Sequence, residues 1–429
     1  MKGKTAFGTV VIFLLAMGCA ELSLTKKPVP LNEVKGTPDH TPVYNYDGWV
    51  IARAVLHNHT TYSDGCRTPE DLVQLARNEG MAVLSINDHR EGEMCSKNGT
   101  CFDAGGVDSK KVGYQKYYEH INRLSQESQS PIILFGIETV PYIWVERRFG
   151  TVLGSGANNH FTSYGIENPE IYANMPAQKV ISLKPQKNPG IAPYEKFVDY
   201  IRDQGGEVFI AHADVADDSW RLTLHHKSPA PNFMIPQLIR LTGVALVPDA
   251  MEESAKPGGW WDQGQFQYLV GFRPEPLWGW GESDYHCDPP RLRYGITLFY
   301  LKDFSKDEVF NAMKSGRMVA VSGEPFMELY VAEFSIGDGK ASSEKIMLGQ
   351  KVRLSKVPVL RFSLSKEIPI KEIRLIKNGK VIYTTNKTNF EYRDESAVSD
   401  KMQSFYRVDV VGEGPRERLF TNPIFVFWK

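Results

Sequence analysis

The feature that most constrains this 429-residue chain is the segment from Val55 to His89, which carries three histidines and several carboxylates at short spacing. His57 and His59 close an apolar run that predicts a strand from Trp49 to Leu56. Because side chains alternate along a strand, both imidazoles point to the same face. Asp64 follows in a turn-forming Ser-Asp-Gly sequence, from which its carboxylate can return toward the two imidazoles. The spacing therefore predicts a metal site.

The residues before His89 predict one helix and one further strand. Thr68 is suited to cap the helix, which ends at Gly80, and apolar residues recur between them at helical spacing. The apolar run from Met81 to Ile86 predicts a strand that ends just before Asp88 and His89. Functional side chains gather at the carboxyl ends of strands in folds of this kind, so His89 is expected to join the first two histidines.

Further imidazole and carboxylate side chains stand at the ends of later predicted strands. Glu138 ends the apolar run from Pro131 to Ile137, and His212 follows the run from Glu207 to Ala211. For an isolated His-x-His pair, two histidines on a solvated strand face are the simpler interpretation. Six of the ten histidines stand at predicted strand ends, however, and this pattern favours a metal site.

The order of these segments resembles the PHP (polymerase and histidinol phosphatase) superfamily. The matching segments are HNHTTYSDG, NDH, FGIETVP, NNHFTSYGI, VFIAHAD and GESDYH, in this order along the chain. The resemblance implies nine metal ligands, which are His57, His59, Asp64, His89, Glu138, His160, His212, Asp284 and His286. It also implies two or three divalent metal ions, and mixed imidazole and carboxylate ligands suit Zn, Mn or Fe.

The resemblance also implies a grouping of the ligands. One ion would be held by His57, His59, Glu138 and Asp284, a second by Asp64, His89 and Glu138, with His160, His212 and His286 completing the cluster. The predicted catalytic residues are Glu138, Asp284 and His286, because a carboxylate such as Glu138 can bridge two cations. Asp214 is a candidate to orient His212. The candidate substrate contacts are Arg90, Arg221 and His226.

The resemblance implies an α/β fold, a distorted (β/α)7-type PHP barrel over residues 47–324. The polar stretches 146–159 and 214–232 are interpreted as loops. From Pro325 the chain alternates apolar and polar residues, and Asn378-Gly379 is a strong hairpin signal. A small all-β sandwich domain is therefore expected over residues 325–429, with shielding of the barrel, homodimer formation or partner binding as its candidate roles. The junction SGEPFMEL is similar to the branch that includes carbaryl and carbamate hydrolases.

The N-terminus predicts export. Lys2 and Lys4 precede an apolar run that is too short to span a bilayer, so residues 1–19 are interpreted as a signal peptide. The sequence LLAMGCA resembles a bacterial lipoprotein signal with Cys19 as the lipid-bearing residue, although cleavage by ordinary signal peptidase is the alternative. Residues 20–46 are polar and suit a tether. A membrane-anchored lipoprotein on the periplasmic or cell-surface side is expected.

Four cysteines remain after the signal, an even number that suits an oxidising compartment. If the ligands implied by the resemblance serve one cluster, Cys66 and Cys287 lie close enough to form a disulfide. Cys95 and Cys101 bracket a polar loop of hairpin size. Four free thiols, or ligands of another metal, are the alternatives.

The charge balance bears on partners and substrate. The formal net charge is -1, which leaves no overall basic field for long nucleic acid, so a small substrate is expected. Divalent cations held by only three carboxylates, Asp64, Glu138 and Asp284, would retain positive charge, so the substrate is expected to be anionic. The resulting prediction is a metal-dependent hydrolase, a phosphoesterase that acts on a small phosphate ester. The alternatives are a carbamate or carboxylic ester hydrolase with the same site, and a non-catalytic surface binding lipoprotein.

Overall fold

The structure is a computed structural model. It describes residues 42–95, 100–103, 105–109, 111–148, 151–155, 159–178, 180–182, 187–214, 218–221, 224–227, 234–287, 291–339, 344–400 and 402–429. Within these ranges, no helix combines the length and the apolar character needed to cross a lipid bilayer. Cys19, and with it the predicted signal peptide, lies outside the described residues.

The first part of the chain contains seventeen described strands and six helices. The strands are β1 Val43–Tyr46, β2 Trp49–Val55, β3 Val83–Ile86, β4 Glu93–Cys95, β5 Cys101–Asp103, β6 Ile132–Thr139, β7 Trp144–Arg148, β8 Thr151–Ser155, β9 Phe161–Tyr164, β10 Val180–Ser182, β11 Glu207–Ile210, β12 Asp218–Arg221, β13 Leu224–Lys227, β14 Gly243–Val247, β15 Trp278–Gly281, β16 Gly295–Leu301 and β17 Met318–Ser322. The helices are α1 Pro69–Asn78, α2 Tyr114–Glu127, α3 Pro169–Ala173, α4 Ala192–Asp203, α5 Trp260–Leu269 and α6 Lys306–Ser315.

The remainder of the chain is mostly strand. Its elements are a 3-10 turn at Phe326–Glu328, β18 Val331–Gly337, β19 Lys351–Leu354, β20 Val359–Leu364, β21 Glu372–Lys377, β22 Lys380–Thr385, β23 Asn389–Arg393, α7 Ser396–Asp400, β24 Ser404–Val411, β25 Arg418–Thr421 and β26 Ile424–Trp428. The hairpin predicted at Asn378-Gly379 joins β21 to β22, and Asn378 has the positive φ of 48° that such a turn requires.

One curved sheet brings the predicted site residues to a single edge. Its order is β15-β14-β11-β9-β6-β3-β2-β16. Strands β2, β3 and β6 are parallel, β9 is antiparallel to β6 and β11, and β11, β14 and β15 are again parallel. The carboxyl ends of the parallel strands and the start of β9 therefore lie at the same edge.

The first strand-helix-strand unit forms as its sequence predicts. The hydroxyl of Thr68 accepts the backbone N–H of Asp71 at 3.2 Å and so caps α1. Leu72, Leu75 and Ala76 are fully buried along one face of that helix, which packs on the sheet. This packing fixes how the loop between β2 and α1 leaves the sheet.

The described strands do not establish the predicted distorted (β/α)7-type barrel. Antiparallel β9 interrupts the parallel series, and the stretches interpreted as loops contain strands instead, since β12-β13-β8-β7 form a separate sheet. Between β15 and β16 a side chain substitutes for part of the backbone ladder. The hydroxyl of Thr297 accepts the N–H of Gly281 at 2.9 Å and donates to its carbonyl at 2.7 Å. The curved sheet is thus joined at its two edges through Thr297.

The C-terminal β-rich region continues the same sheet. Strand β17 pairs with β25, which leads to β24, β21 and β22, and a second sheet, β18-β20-β23, shares its hydrophobic core. The amide of Asn422 bonds both backbone groups of Gly279 and the carbonyl of Met318. Backbone pairing therefore crosses the boundary that the sequence placed at residue 325.

A buried arginine also links the two regions. Arg407 on β24 is fully buried and binds the carboxylate of Asp262 on α5 through two nitrogens, at 2.6 and 2.8 Å. It also pairs with Asp409 on its own strand. At the other end of the chain, β1 pairs with β2, so residues 43–46 belong to the sheet and not to the predicted tether.

Candidate metal centre

The candidate site is built at the common edge of the curved sheet, where strand ends place imidazoles and carboxylates. His57 and His59 follow β2, His89 follows β3, and His212 follows β11. Glu138 is the second-to-last residue of β6. His160 precedes β9, and Asp284 and His286 follow β15. With Asp64 from the loop before α1, the structure therefore brings together all nine residues that the resemblance implied.

The backbone at this edge adopts an unusual conformation. His57, His212 and Asp284 have φ angles of 63°, 31° and 48°. Residues other than glycine rarely occupy this left-handed region, and each such residue costs on the order of 1–2 kcal/mol. Three residues of one side-chain cluster share this conformation, which indicates that the surrounding contacts hold them there.

Glu138 lies at the centre of the cluster and is fully buried. Its Oε1 lies 3.0 Å from a nitrogen of His57, 2.7 Å from His160 and 3.4 Å from His212. Its Oε2 lies 3.2 Å from a nitrogen of His59 and 2.9 Å from His89. One carboxylate thus contacts five imidazoles, which is the arrangement that a bridging ligand requires.

Three overlapping sets of ligand atoms are close enough to hold a cation. The sets are His57, His59, Glu138 and Asp284; His59, Asp64, His89 and His286; and His89, Glu138 and His160. The first is the set that the resemblance implied. The second differs, because Asp64 groups with His286 and not with Glu138, whose oxygens face the opposite side of His89. Shared members place the three sets next to one another.

The hydrogen bonding of the cluster fits a bound cation. Nδ1 of His57 lies 2.8 Å from Glu282 Oε2, so in neutral His57 the proton is on Nδ1 and Nε2 carries a lone pair. That lone pair faces Glu138 Oε1 at 3.0 Å and Asp284 Oδ1 at 3.3 Å, which are both acceptors. Glu138 Oε2 and Asp284 Oδ1 are buried without a hydrogen-bond partner in the described part of the chain. Converging acceptors of this kind need a positive charge between them.

The pKa shifts of the cluster have the same physical cause. Burial lowers the pKa of the His57 imidazole, but the carboxylates of Glu138 and Asp284 outweigh burial and hold this pKa well above its usual range. Burial raises the pKa of Glu138, but His57 and His89 lower it well below the usual range. Burial also lowers the pKa of His286, but Asp284 and Asp64 outweigh burial and raise this pKa to about 9. Without a cation, protons supply the positive charge.

Close packing and hydrogen bonds fix the loop that carries Asp64. A Cβ placed on Gly65 would lie 2.3 Å from the carbonyl carbon and oxygen of His59, so only glycine fits there. Asp88 accepts the N–H and the hydroxyl of Thr60, both at 2.7 Å, and the hydroxyl of Ser63 at 2.6 Å. Asp88 thus supports this loop and is not itself in the ligand sets.

One part of the chain matches a known family model. Residues 56–169 match the PHP domain. This range contains six of the nine candidate ligands, from His57 to His160, while His212, Asp284 and His286 lie beyond it. No curated protein matches the chain.

Solved structures also resemble the chain. One is a two-domain protein from Bacteroides vulgatus that contains a predicted PHP-like metal-dependent phosphoesterase. It is 14% identical in sequence, the match covers 90% of this chain and 98% of that chain, and the TM-score is 0.43. A proposed metal-dependent phosphoesterase from Bifidobacterium adolescentis has 14% identity, coverage of 54% and 87%, and a TM-score of 0.28. An amidohydrolase from Chromobacterium violaceum has 16% identity, coverage of 55% and 88%, and a TM-score of 0.27.

The four cysteines of the described residues form two disulfides. Cys66 is paired with Cys287, with their Cα atoms 6.0 Å apart, and Cys95 is paired with Cys101. Cys66 follows Asp64 by two residues and Cys287 directly follows His286. The first disulfide therefore joins the loop that supplies Asp64 to the segment that supplies His286.

The candidate substrate contacts are placed differently from the ligands. Arg90 is 1% exposed, and its guanidinium donates to the carbonyl of Gln178 and lies 3.5 Å from the Asp108 carboxylate. The structure thus places Arg90 in the packing beside the cluster and not at an open surface for substrate. Arg221 and His226 lie on β12 and β13. Their side chains are outside the described structure.

Two carboxylates beside the ligands have roles that the sequence did not indicate. Asp214, the expected partner of His212, instead accepts the N–H of Glu253 and the N–H and hydroxyl of Ser254. Glu282 bonds the imidazole of His57 and the backbone N–H of His212. The alternation Glu282, Asp284, His286 after a predicted strand was the signal that could have revealed Glu282.

Part of the C-terminal region borders this edge of the sheet. The hydroxyl of Ser322 donates to the carbonyl of Arg416 at 2.6 Å, and Arg416 lies 4.4 Å above the ring of Tyr294. The same hydroxyl contacts the sulfur of Met251, two residues after the exposed Asp249 at the end of β14. The turn between β24 and β25 therefore lies beside the rim of the candidate site.

Proposed function

We propose that this protein is a metal-dependent hydrolase of the PHP superfamily that acts on a small phosphate ester. The observation that carries the proposal is the convergence of five imidazoles and three carboxylates into three adjacent ligand sets at one sheet edge, with a sixth imidazole, His212, beside Glu138. The match of residues 56–169 to the PHP domain supports the same conclusion.

The composition of the cluster favours an anionic substrate. The ligand sets contain only three carboxylates, Asp64, Glu138 and Asp284, while the remaining members are imidazoles that bind metals in their neutral form. Two or three divalent cations therefore exceed the negative charge of their ligands. A site with this surplus attracts a phosphate ester more strongly than a neutral carbamate.

The described members of the cluster differ in exposure. His57, His59 and Glu138 are completely buried, whereas the side chains of Asp64, Asp284 and His286 are 30%, 30% and 29% exposed. A substrate can therefore approach over Asp284 and His286, while the buried residues fix the positions of the ligands below. The three predicted catalytic residues, Glu138, Asp284 and His286, lie on this approach or directly beneath it.

The side chains would hold the metal ions and orient the ligand atoms, and the metal ions would supply the reactivity. When bound, divalent ions act as Lewis acids and lower the pKa of water to near neutral, so no protein nucleophile is required. Glu138 and Asp284 compensate the positive charge of the site, and the His57–Glu282 contact orients one imidazole. The Cys66–Cys287 disulfide limits the movement of His286 relative to Asp64.

The test is a comparison of substrates on one metal-loaded preparation. We expect kcat/KM to be higher for p-nitrophenyl phosphate than for an aryl carbamate or an aryl acetate. Glu138→Gln should abolish most of this activity. Glu70→Gln is the matched control, since Glu70 contacts His120 at 2.7 Å but is half exposed and outside the cluster.

Two outcomes contradict the proposal in different ways. If the carbamate is cleaved more than about tenfold faster, a difference of about 1.4 kcal/mol in transition-state stabilisation, the protein is a carbamate or ester hydrolase that uses the same site. If no ester is cleaved although the ions bind, the protein is a binding lipoprotein without catalytic activity.

The proposed location rests on the sequence alone. We infer export and attachment to a membrane by lipid at Cys19, and mass spectrometry of the mature N-terminus tests this. A diacylglycerol-modified Cys19 is expected, whereas a free N-terminus further along the chain indicates ordinary cleavage.

Homodimer formation through the C-terminal region is tested by analytical ultracentrifugation of the chain without its signal, and a monomer at micromolar concentration refutes it.

A further inference from the structure

Glu282 is a buried carboxylate that contacts the cluster and belongs to none of the three candidate ligand sets. It directly follows β15 and is 1% exposed. Its Oε2 lies 2.8 Å from Nδ1 of His57, and its Oε1 accepts the backbone N–H of His212. Both oxygens of this buried carboxylate are therefore used by groups that belong to, or adjoin, the candidate metal centre.

The two contacts of Glu282 connect strands that are far apart in the sheet. His57 follows β2 and His212 follows β11, and β3, β6 and β9 lie between these two strands in the hydrogen-bonded order. The Glu282 side chain reaches both because the sheet curves and brings β15 back toward β2. One side chain thus spans the ring of strand ends on which the ligands stand.

The same two residues have left-handed backbone conformations. The φ angles of His57 and His212 are 63° and 31°, values that residues other than glycine adopt only when other contacts hold them. Glu282 supplies such a contact to each residue, to the side chain of His57 and to the backbone of His212. Ser85 adds a second contact by accepting the N–H of His57 at 2.8 Å.

We propose that Glu282 is a positioning residue that organises the metal set formed by His57, His59, Glu138 and Asp284. By accepting a hydrogen bond from the Nδ1–H group, it leaves the Nε2 lone pair of His57 directed at Glu138 and Asp284, 3.0 and 3.3 Å away. By accepting the backbone N–H of His212, it also holds an imidazole whose Nε2 lies 3.4 Å from Oε1 of Glu138. The inference concerns the metal site on which the proposed function rests.

The variant Glu282→Gln separates these roles from simple packing, because the amide keeps the size of the side chain. Its single oxygen can accept from His57 or from His212 but not from both, and its NH₂ group then opposes the other donor. We expect the affinity of one zinc ion to fall about 10- to 100-fold, as is typical when the partner of a metal-bound histidine is lost. Zinc binding through Asp64, His89 and His286 should remain within about threefold, because these residues lie outside the organised set and do not contact Glu282 in the described structure.

The measurement is zinc titration of the metal-free full chain by calorimetry, with chelator competition for the tight site. Histidine ¹⁵N spectra of the zinc-loaded protein give a second readout, in which the resonances of His57, whose Nδ1 contacts Glu282 in the wild type, should shift in Glu282→Gln. Asp214→Asn is the matched control. Asp214 follows the same strand as His212 and accepts backbone N–H groups, but it contacts no imidazole in the described structure.

A second variant keeps the test decisive if Glu282→Gln does not fold by circular dichroism. Glu282→Asp retains the charge but is shorter by one methylene, so it should weaken the same zinc ion and no other. Zinc affinities and stoichiometry equal to the wild type in either folded variant would overturn the inference. A wild type that binds zinc but cleaves no phosphate ester would refute the proposed function and leave this inference intact.

Discussion

Replacing Glu138 by glutamine removes one negative charge from the centre of the cluster and leaves its shape unchanged. In the metal-free protein at pH 6, the raised pKa of His57 keeps its imidazole protonated, 3.0 Å from the Glu138 carboxylate. At an effective dielectric constant of about 20, one such pair contributes about 5 kcal/mol of attraction. Breaking a buried pair leaves the remaining charge without compensation, which costs about 3–5 kcal/mol.

We therefore expect Glu138→Gln to lower the free energy of unfolding of the metal-free protein at pH 6 by about 3–5 kcal/mol. Urea unfolding followed by tryptophan fluorescence measures this loss, provided that the transition is two-state. Glu70→Gln is again the control. Its imidazole contact has the same 2.7 Å distance as the His160–Glu138 contact, but Glu70 is half exposed, so a loss below about 1 kcal/mol is expected.

The pH dependence supplies the refuting result. The imidazoles lose their protons as the pH rises through their raised folded-state pKa values, so the effect of Glu138→Gln should shrink as the pH is raised. A loss below about 1 kcal/mol at pH 6 would show that the carboxylate and the imidazoles do not interact as the structure indicates.

Four further predictions concern pH, the disulfide, the Asp64 loop and the inter-region link. The raised pKa values of His57, His89 and His286 stabilise the folded protein fully below the unfolded-state pKa of 6.5. This stabilisation is lost as the pH rises through the folded-state pKa of each residue, which is about 9 for His286. The lowered pKa values of Asp64 and Glu138 stabilise the folded protein at higher pH, and this stabilisation is lost below about pH 4. The melting temperature of the metal-free protein should thus be highest between about pH 4.5 and 6.5, and a melting temperature that keeps rising to pH 9 would contradict this. Reduction and alkylation of Cys66–Cys287, which closes a 221-residue separation, should cost about 5 kcal/mol in the chain-entropy model, and equal urea midpoints for the oxidised and reduced forms would exclude it. Gly65→Ala should weaken zinc binding at least about tenfold, since a Cβ would lie 2.3 Å from the His59 carbonyl and displace Asp64, and unchanged affinity would show that the loop adapts. Arg407→Met leaves Asp262 and Asp409 buried and unpaired and should cost about 3–5 kcal/mol in urea unfolding, whereas a cost near zero would mean that these carboxylates become protonated freely.

Local sequence determined the elements that carry the ligands. The two-residue period placed His57 and His59 after one strand, and the capping residue Thr68 and the apolar spacing after it determined α1. Each of these features depends on residues within about one turn or one strand of each other, where propensity and alternation act directly. The full set of nine candidate ligands came from the resemblance of six segments to the PHP superfamily, and the structure brings the nine residues together.

Tertiary structure decided how the ligands group and what supports them. Asp64 pairs with His286 and not with Glu138 because Gly65 packs on the backbone of His59 and because Cys66 is joined to Cys287. Arg90, which follows His89, is buried and donates to the carbonyl of Gln178, although its sequence position suggested a substrate contact. These outcomes depend on contacts between residues that are distant in the sequence, which local patterns do not encode.

The same distinction applies to the fold as a whole. Alternating residues after Pro325 determined that the C-terminal region is built of strands, but they did not determine which strand pairs with which. Edge pairing joins β17 to β25, and the buried Arg407 joins β24 to α5, so the region continues the sheet of the metal centre. Strand partners are set by shape and buried charge across the finished core, and only the folded chain brings those groups together.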